Sequence, residues 1–136
     1  MACFQTSIFV KTTSRETLVD ITALVQDAVR ENEVQQGITT VYVRGATAGI
    51  MIQENWDDSV QTDVVTLLRQ VIPQGVWLHD QQDGNGDSHL KAGLVGPSET
   101  IPIRDGQMAL STWQNIFLCE FDGPRESREI VVTVLS

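Results

Sequence analysis

The stretch TIPIRDGQMAL, residues 100–110, decides the fold class. Thr100–Arg104 and Gln107–Leu110 are β-rich runs on either side of Asp105-Gly106, a pair that favours a type I′ turn between antiparallel strands. The same grammar continues downstream. Trp113–Phe121 and Glu129–Leu135 flank Asp122-Gly123-Pro124-Arg125, which reads as a second hairpin or a tight corner. Upstream, Phe4–Thr12 alternates, with Phe4, Thr6, Ile8 and Val10 on one face, as a strand requires.

Helices belong to the first half of the chain. Asp20 is placed to cap a helix in which Ile21, Leu24, Val25, Ala28 and Val29 form the apolar stripe, closed by Gly37. Thr39–Val43 and Gly49–Ile52 are β-rich. Asp57 or Asp58 starts a second helix with the stripe Val60, Val64, Leu67, Leu68 and Val71, which Pro73 and Gly75 stop. Val76–Leu78 reads as a short strand and Asp80–Ser88 as a polar stretch without hydrophobic period. The sum is an α+β sandwich of about seven or eight mostly antiparallel strands and two helices. No linker or repeat divides it, so residues 1–136 are read as one domain.

Composition narrows the function. Nine Lys and Arg stand against 18 Asp and Glu, a formal charge of −9, so binding to duplex nucleic acid is excluded as the default. The longest nearly apolar stretch, Ile116–Phe121, is interrupted by Glu120 and falls far short of the roughly 20 residues that span a bilayer. The opening residues lack the basic and apolar regions of a secretion signal, and a cytoplasmic location is expected. Cys3 and Cys119 lie in apolar strand contexts without CxxC spacing and read as buried, reduced thiols.

Chemistry concentrates in the second half. Asp83-Gly84-Asn85-Gly86-Asp87 resembles the opening of a calcium loop, but Ser88 and Leu94 stand where an EF-hand needs Gly and Glu. The loop reads either as an exposed polar turn or as a set of grouped acceptors and N–H groups. His79 and His89, the two histidines of the chain, bracket it, and imidazole is a common metal ligand. Glu54-Asn55 ends a strand just before a helix start, where functional side chains and caps both occur. Glu120 interrupts an apolar strand and needs a partner, for which Arg125 and Arg128 are the local cations. Arg125 is equally placed to bind an anion.

These residues carry a resemblance. Glu54-Asn55, His79, Asp83-Gly84-Asn85 with His89-Leu90-Lys91, Gly96-Pro97-Ser98, Thr112-Trp113-Gln114 and Glu120 to Arg125 follow one another as in the YjbQ-like, secondary thiamine-phosphate synthase family. The resemblance spans essentially the whole chain. It implies a β-sandwich that assembles as a homotrimer, three histidines around a metal or anion site, and a weak joining of a pyrimidine diphosphate to a thiazole phosphate with pyrophosphate release. Carried onto this chain, it makes His79 and His89 catalytic groups or ligands of a divalent metal, zinc or magnesium, with Glu54 orienting a histidine. Arg44, Asp83, Asn85, Lys91, Gln114 and Arg125 become the contacts to substrate or phosphate.

Two departures qualify that picture. Gly45 stands where the family carries its first histidine, and Ser111 replaces a glycine before Thr112-Trp113-Gln114. Glycine cannot ligate, so the metal site is weakened, and Arg44 beside the gap offers a fixed charge for direct phosphate binding. The competing expectation is a non-catalytic trimer that binds a small phosphate-bearing metabolite or a metal.

Overall fold

A computed structural model describes all 136 residues. Eight strands form two sheets: β1 (Cys3–Thr12), β2 (Thr17–Asp20), β3 (Gln36–Val43), β4 (Ala48–Gln53), β5 (Ser98–Arg104), β6 (Gln107–Met108), β7 (Asn115–Glu120) and β8 (Arg125–Leu135). Three α-helices accompany them: α1 (Thr22–Glu31), α2 (Ser59–Val71) and α3 (Gly86–Val95). One sheet has the order β1-β8-β3-β5-β6 and the other β2-β7-β4, with every strand pair antiparallel. The α+β sandwich read from the sequence is the fold observed. No helix is long and apolar enough to cross a membrane.

Strand parity builds the layers. Val10 of β1, Val41 and Val43 of β3, Ile101 and Ile103 of β5, and Ile130, Val132 and Val134 of β8 face inward. They meet Ile50 of β4, Ile116 and Leu118 of β7, and Val25, Ala28 and Val29 of α1. Each buried Val, Ile or Leu among them contributes about 1.5–3 kcal/mol by leaving water. The other face of β7 is buried too, with Phe117, Cys119 and Phe121 packed under Leu68 of α2 and Ala92 of α3. Covered on both sides, β7 therefore reads as a continuous apolar run and not as an alternation.

Several boundaries differ from the sequence reading, each for a local reason. The Asp105-Gly106 turn is as expected, with φ of 53° and 78°. Asp20 does serve the start of α1, its Oδ1 accepting the Thr22 N–H at 2.9 Å, but it ends the unexpected strand β2, which pairs with β7. Helix α1 stops at Glu31, and Gly37 lies inside β3, where the Leu135 carbonyl approaches too closely for any Cβ. In α2 the stripe is only partly covered: Leu68 is buried, whereas Leu67 and Val71 are exposed. Residues 78–81 form a short 3-10 turn instead of ending a strand, and the end of the polar stretch Asp80–Ser88 opens helix α3, Gly86–Val95, for which no helix was expected. The Asp122–Arg125 segment is a corner between the two sheets, since β7 and β8 do not pair with each other. Cys119 is buried as expected, but Cys3 is exposed at the start of β1.

Candidate functional site

Helix α3 organises the chemistry. Gly84, at φ 67°, turns the chain, and Asp80 then holds both sides of the loop. Its Oδ2 accepts the Trp77 N–H at 2.9 Å and its Oδ1 the Gly86 N–H at 2.8 Å. A Cβ on Gly86 would lie 2.8 Å from that of Trp77, so glycine is what allows this closure. The result sets His79 of the 3-10 turn against His89 of α3, ring centroids 4.8 Å apart and planes near perpendicular. Asp83 Oδ2 stands 3.5 Å from His79 Nε2.

The two motif stretches meet at the corner. Asn85 Nδ2 donates to Asp122 Oδ2 at 2.9 Å, and Ser88 Oγ donates to the Phe121 carbonyl at 2.6 Å. Arg125 closes on the same aspartate, its Nη2 3.0 Å from Asp122 Oδ2. On the other side of α3 lies a buried ionic cluster. Lys91 Nζ donates to Asp87 Oδ2 at 2.8 Å and to Glu16 Oε2 at 3.1 Å. Arg15 and Arg69 complete it, at 3.0 Å from Asp87 and 3.1 Å from Glu16. Burial raises the Asp87 pKa, but hydrogen bonds from Arg15 and Lys91, together with their charges, outweigh it and hold the carboxyl below the usual range.

A second buried pair spans the sandwich between the sheets. Glu120 shares parity with Ile116 and Leu118, and Arg128 with Ile130 and Val132, so both point inward. Arg128 Nε donates to Glu120 Oε1 at 2.9 Å, and Nη2 donates to Glu120 Oε2 and, at 2.8 Å, to Thr47 Oγ1. Thr12 Oγ1 donates to Glu120 Oε1 at 2.8 Å and accepts the Arg125 N–H at 3.0 Å, a geometry produced by the register shift between Val10 and Thr12. Burial acts to raise the Glu120 pKa, and the hydrogen bonds from Arg128, Thr12 and the Asp122 N–H, with the Arg128 charge, prevail and lower it. Glu120 is ionised at neutral pH.

A recess of about 390 Å³ opens beside this region, walled by Tyr42, Gly45, Ala46, His89, Gly93 and Pro97 among others. Gly45 and His89 therefore share one cavity. An ideal Cβ on Gly45 would lie 2.7 Å from Arg128 Nη1.

The expected site residues divide. His79, His89, Asp83, Asn85 and Arg125 are brought to the α3–corner region. Lys91 is also there, but only 1% exposed and bound to two carboxylates, so it is not available as a phosphate contact. Arg44 points to the outer face of its sheet, opposite to buried Val43, and pairs with Glu129 at 2.9 Å instead of facing the gap at Gly45. Gln114 Oε1 accepts the Ser111 N–H at 2.9 Å. Glu54 accepts the Trp56 N–H at 3.0 Å, and no hydrogen bond or ion pair joins it to either histidine. Of the two cations expected near Glu120, Arg128 is its partner and Arg125 pairs with Asp122 instead. Thr47 and Arg15 were not singled out from the sequence, and Arg128 was read only as an ion-pair partner.

As a metal site the donor set is small. His79, His89 and Asp83 do not converge, and no group of three or more His, Cys, Asp or Glu side chains is arranged to hold an ion, where zinc takes three or four. The residues of one chain do not by themselves fit a divalent cation.

An antiparallel α+β sandwich with paired histidines at a helix-covered corner defines the class. Within it, the chain belongs to the YjbQ-like UPF0047 family, whose model matches residues 6–136. It is 48% identical over 126 residues to the UPF0047 protein MJ1081 of Methanocaldococcus jannaschii, covering 93% of this chain and 90% of that protein. It is 38% identical over 116 residues to the UPF0047 protein YugU of Bacillus subtilis, covering 85% and 88%. Among solved structures, a YbjQ-like protein of unknown function from Sulfolobus solfataricus superposes with a TM-score of 0.96 at 34% identity, over 99% of this chain and 98% of that one. A YjbQ/UPF0047 protein from Clostridium acetobutylicum gives 0.90 at 40% identity, over 96% and 99%.

Proposed function

We propose that the chain binds a phosphate-bearing small molecule in the recess between Gly45 and His89, acting in the cytoplasm as a homotrimer. The recess itself carries the reading. At about 390 Å³ it lies in the size range of metabolite sites, roughly 300–1,000 Å³, and small residues line it so that a ligand can approach the backbone. His89 supplies a donor at its wall, and Arg128 stands directly behind Gly45. A cleft of about 440 Å³ elsewhere is less suited to an anion, because Glu16, Asp20 and Asp58 line it against the single cation Arg69. The homotrimer is supported by Phe9, Ile38 and Tyr42, exposed on the outer face of the five-stranded sheet, which further copies would cover.

The convergence of the Asp83–Lys91 and Glu120–Arg125 stretches favours a second reading, the joining of a pyrimidine diphosphate to a thiazole phosphate. Such a displacement requires charge on the departing pyrophosphate to be neutralised. With Lys91 and Arg44 engaged elsewhere, few cations serve that role, and a low rate follows. Calorimetric titration with inorganic pyrophosphate tests the binding reading: saturable binding that His89→Ala weakens tenfold or more is expected. An absence of saturable binding at millimolar pyrophosphate refutes it. Incubation with both half-substrates then separates the two readings, since thiamine phosphate that disappears in the His79→Ala, His89→Ala double variant establishes the transferase.

A further inference from the structure

We infer that Arg128, through the Nη1 group left open behind Gly45, is the charged donor that grips the phosphate group of the ligand. The inference deepens the proposed binding role and rests on it.

A guanidinium offers five N–H bonds in a fixed planar fork. Three of its hydrogen-bonding directions are taken, Nε by Glu120 Oε1 and Nη2 by Glu120 Oε2 and Thr47 Oγ1. Nη1 has no protein acceptor, on a side chain only 8% exposed. It is not sealed, because it is not among the fully buried polar atoms without a partner. A charged N–H that is reachable and has no protein acceptor is a direction in which an anion makes a strong, charge-assisted hydrogen bond.

Gly45 determines how that direction is reached. A Cβ built there meets Nη1 at 2.7 Å and the Arg128 Cζ at 3.7 Å, and no other side chain or backbone within 4 Å. A side chain at position 45 would therefore lie over Nη1, and its absence leaves Nη1 uncovered beside Gly45, which itself lines the recess that holds His89. The Glu120 and Thr47 contacts fix the fork in advance, so no long side chain has to be ordered when the ligand arrives. Glu120 also balances the Arg128 charge, so the sandwich tolerates the cation when the recess is empty. Arg44 is paired with Glu129, and Lys91 is buried between Asp87 and Glu16.

The probe is inorganic phosphate, titrated calorimetrically into the wild type, Gly45→Ala, Arg128→Lys and Arg44→Met. Gly45→Ala places a methyl against Nη1 and Arg128→Lys retains charge while removing that N–H; each is expected to weaken phosphate at least tenfold, with Arg44→Met unchanged. Melting curves establish that each variant is folded. If the wild type binds phosphate in a His89-dependent manner and folded Gly45→Ala binds equally well, the role of Arg128 is overturned and the recess reading stands. If the wild type does not bind phosphate, the role of Arg128 falls, and the recess reading falls with it only if pyrophosphate does not bind either. Should either variant fail to fold, the Arg128 guanidinium resonances of the wild type decide: a shift on phosphate addition supports the assignment, and unchanged resonances overturn it.

Discussion

Replacing Arg128 by methionine removes two hydrogen bonds to Glu120 and one to Thr47, and strands a carboxylate that is fully buried. Breaking one partner of a buried ion pair costs about 3–5 kcal/mol. For a domain of this size that is a fall in Tm on the order of 10–20 °C. The pH dependence carries the sharper signature. In the wild type Glu120 has a lowered pKa, so its stabilisation is complete above the ordinary carboxylate range and is lost only as pH falls through the lowered value. Without Arg128, burial prevails and the same carboxyl is pushed up. The variant then recovers part of its deficit as pH falls and Glu120 takes up a proton. Urea unfolding of both proteins at neutral and mildly acidic pH reads this directly. The Arg128→Met, Glu120→Leu double variant, which leaves no charge behind, is expected to recover most of the loss. A deficit below about 1 kcal/mol at neutral pH, or one that does not shrink on acidification, refutes the reasoning.

Lys91→Met should lower stability by about 3–5 kcal/mol, because Asp87 and Glu16 are left in close, buried proximity; urea denaturation measures it, and a surface-like loss below about 1 kcal/mol contradicts the cluster. Gly86→Ala should cost about 1–3 kcal/mol through the close approach of Trp77, seen as a lower melting temperature, and a neutral effect contradicts the tight closure. A thiol reagent should modify Cys3 in the native protein and reach Cys119 only on unfolding, since burial pushes the Cys119 thiol up to about 12; two fast-reacting thiols would contradict this.

The sandwich was legible because its strands announce themselves by turn chemistry and parity, as in Thr100–Leu110, where the Asp105-Gly106 pair dictates a local geometry. What escaped the sequence depended on tertiary cover. Strand β2 is four residues long and exists by pairing with β7, and α3 carries two glycines and little periodicity, being held by the Asp80 contacts at its start and by β4 beneath it. The same limit applies at the site. His79, His89 and the corner aspartate were identifiable as chemistry-bearing residues. Whether a cation such as Lys91 is free or already neutralised depends on Glu16, 75 positions away, which no local pattern reveals. Arg44 was expected at the Gly45 gap through adjacency in sequence, yet strand alternation sends neighbours to opposite faces and brings Arg128 there instead.

The most direct test of the central claim is a crystal structure of the wild-type protein grown with inorganic phosphate. Phosphate is expected in the Gly45–His89 recess, with an oxygen within hydrogen-bond distance of Arg128 Nη1. Phosphate bound elsewhere, with that recess holding only water, would contradict it.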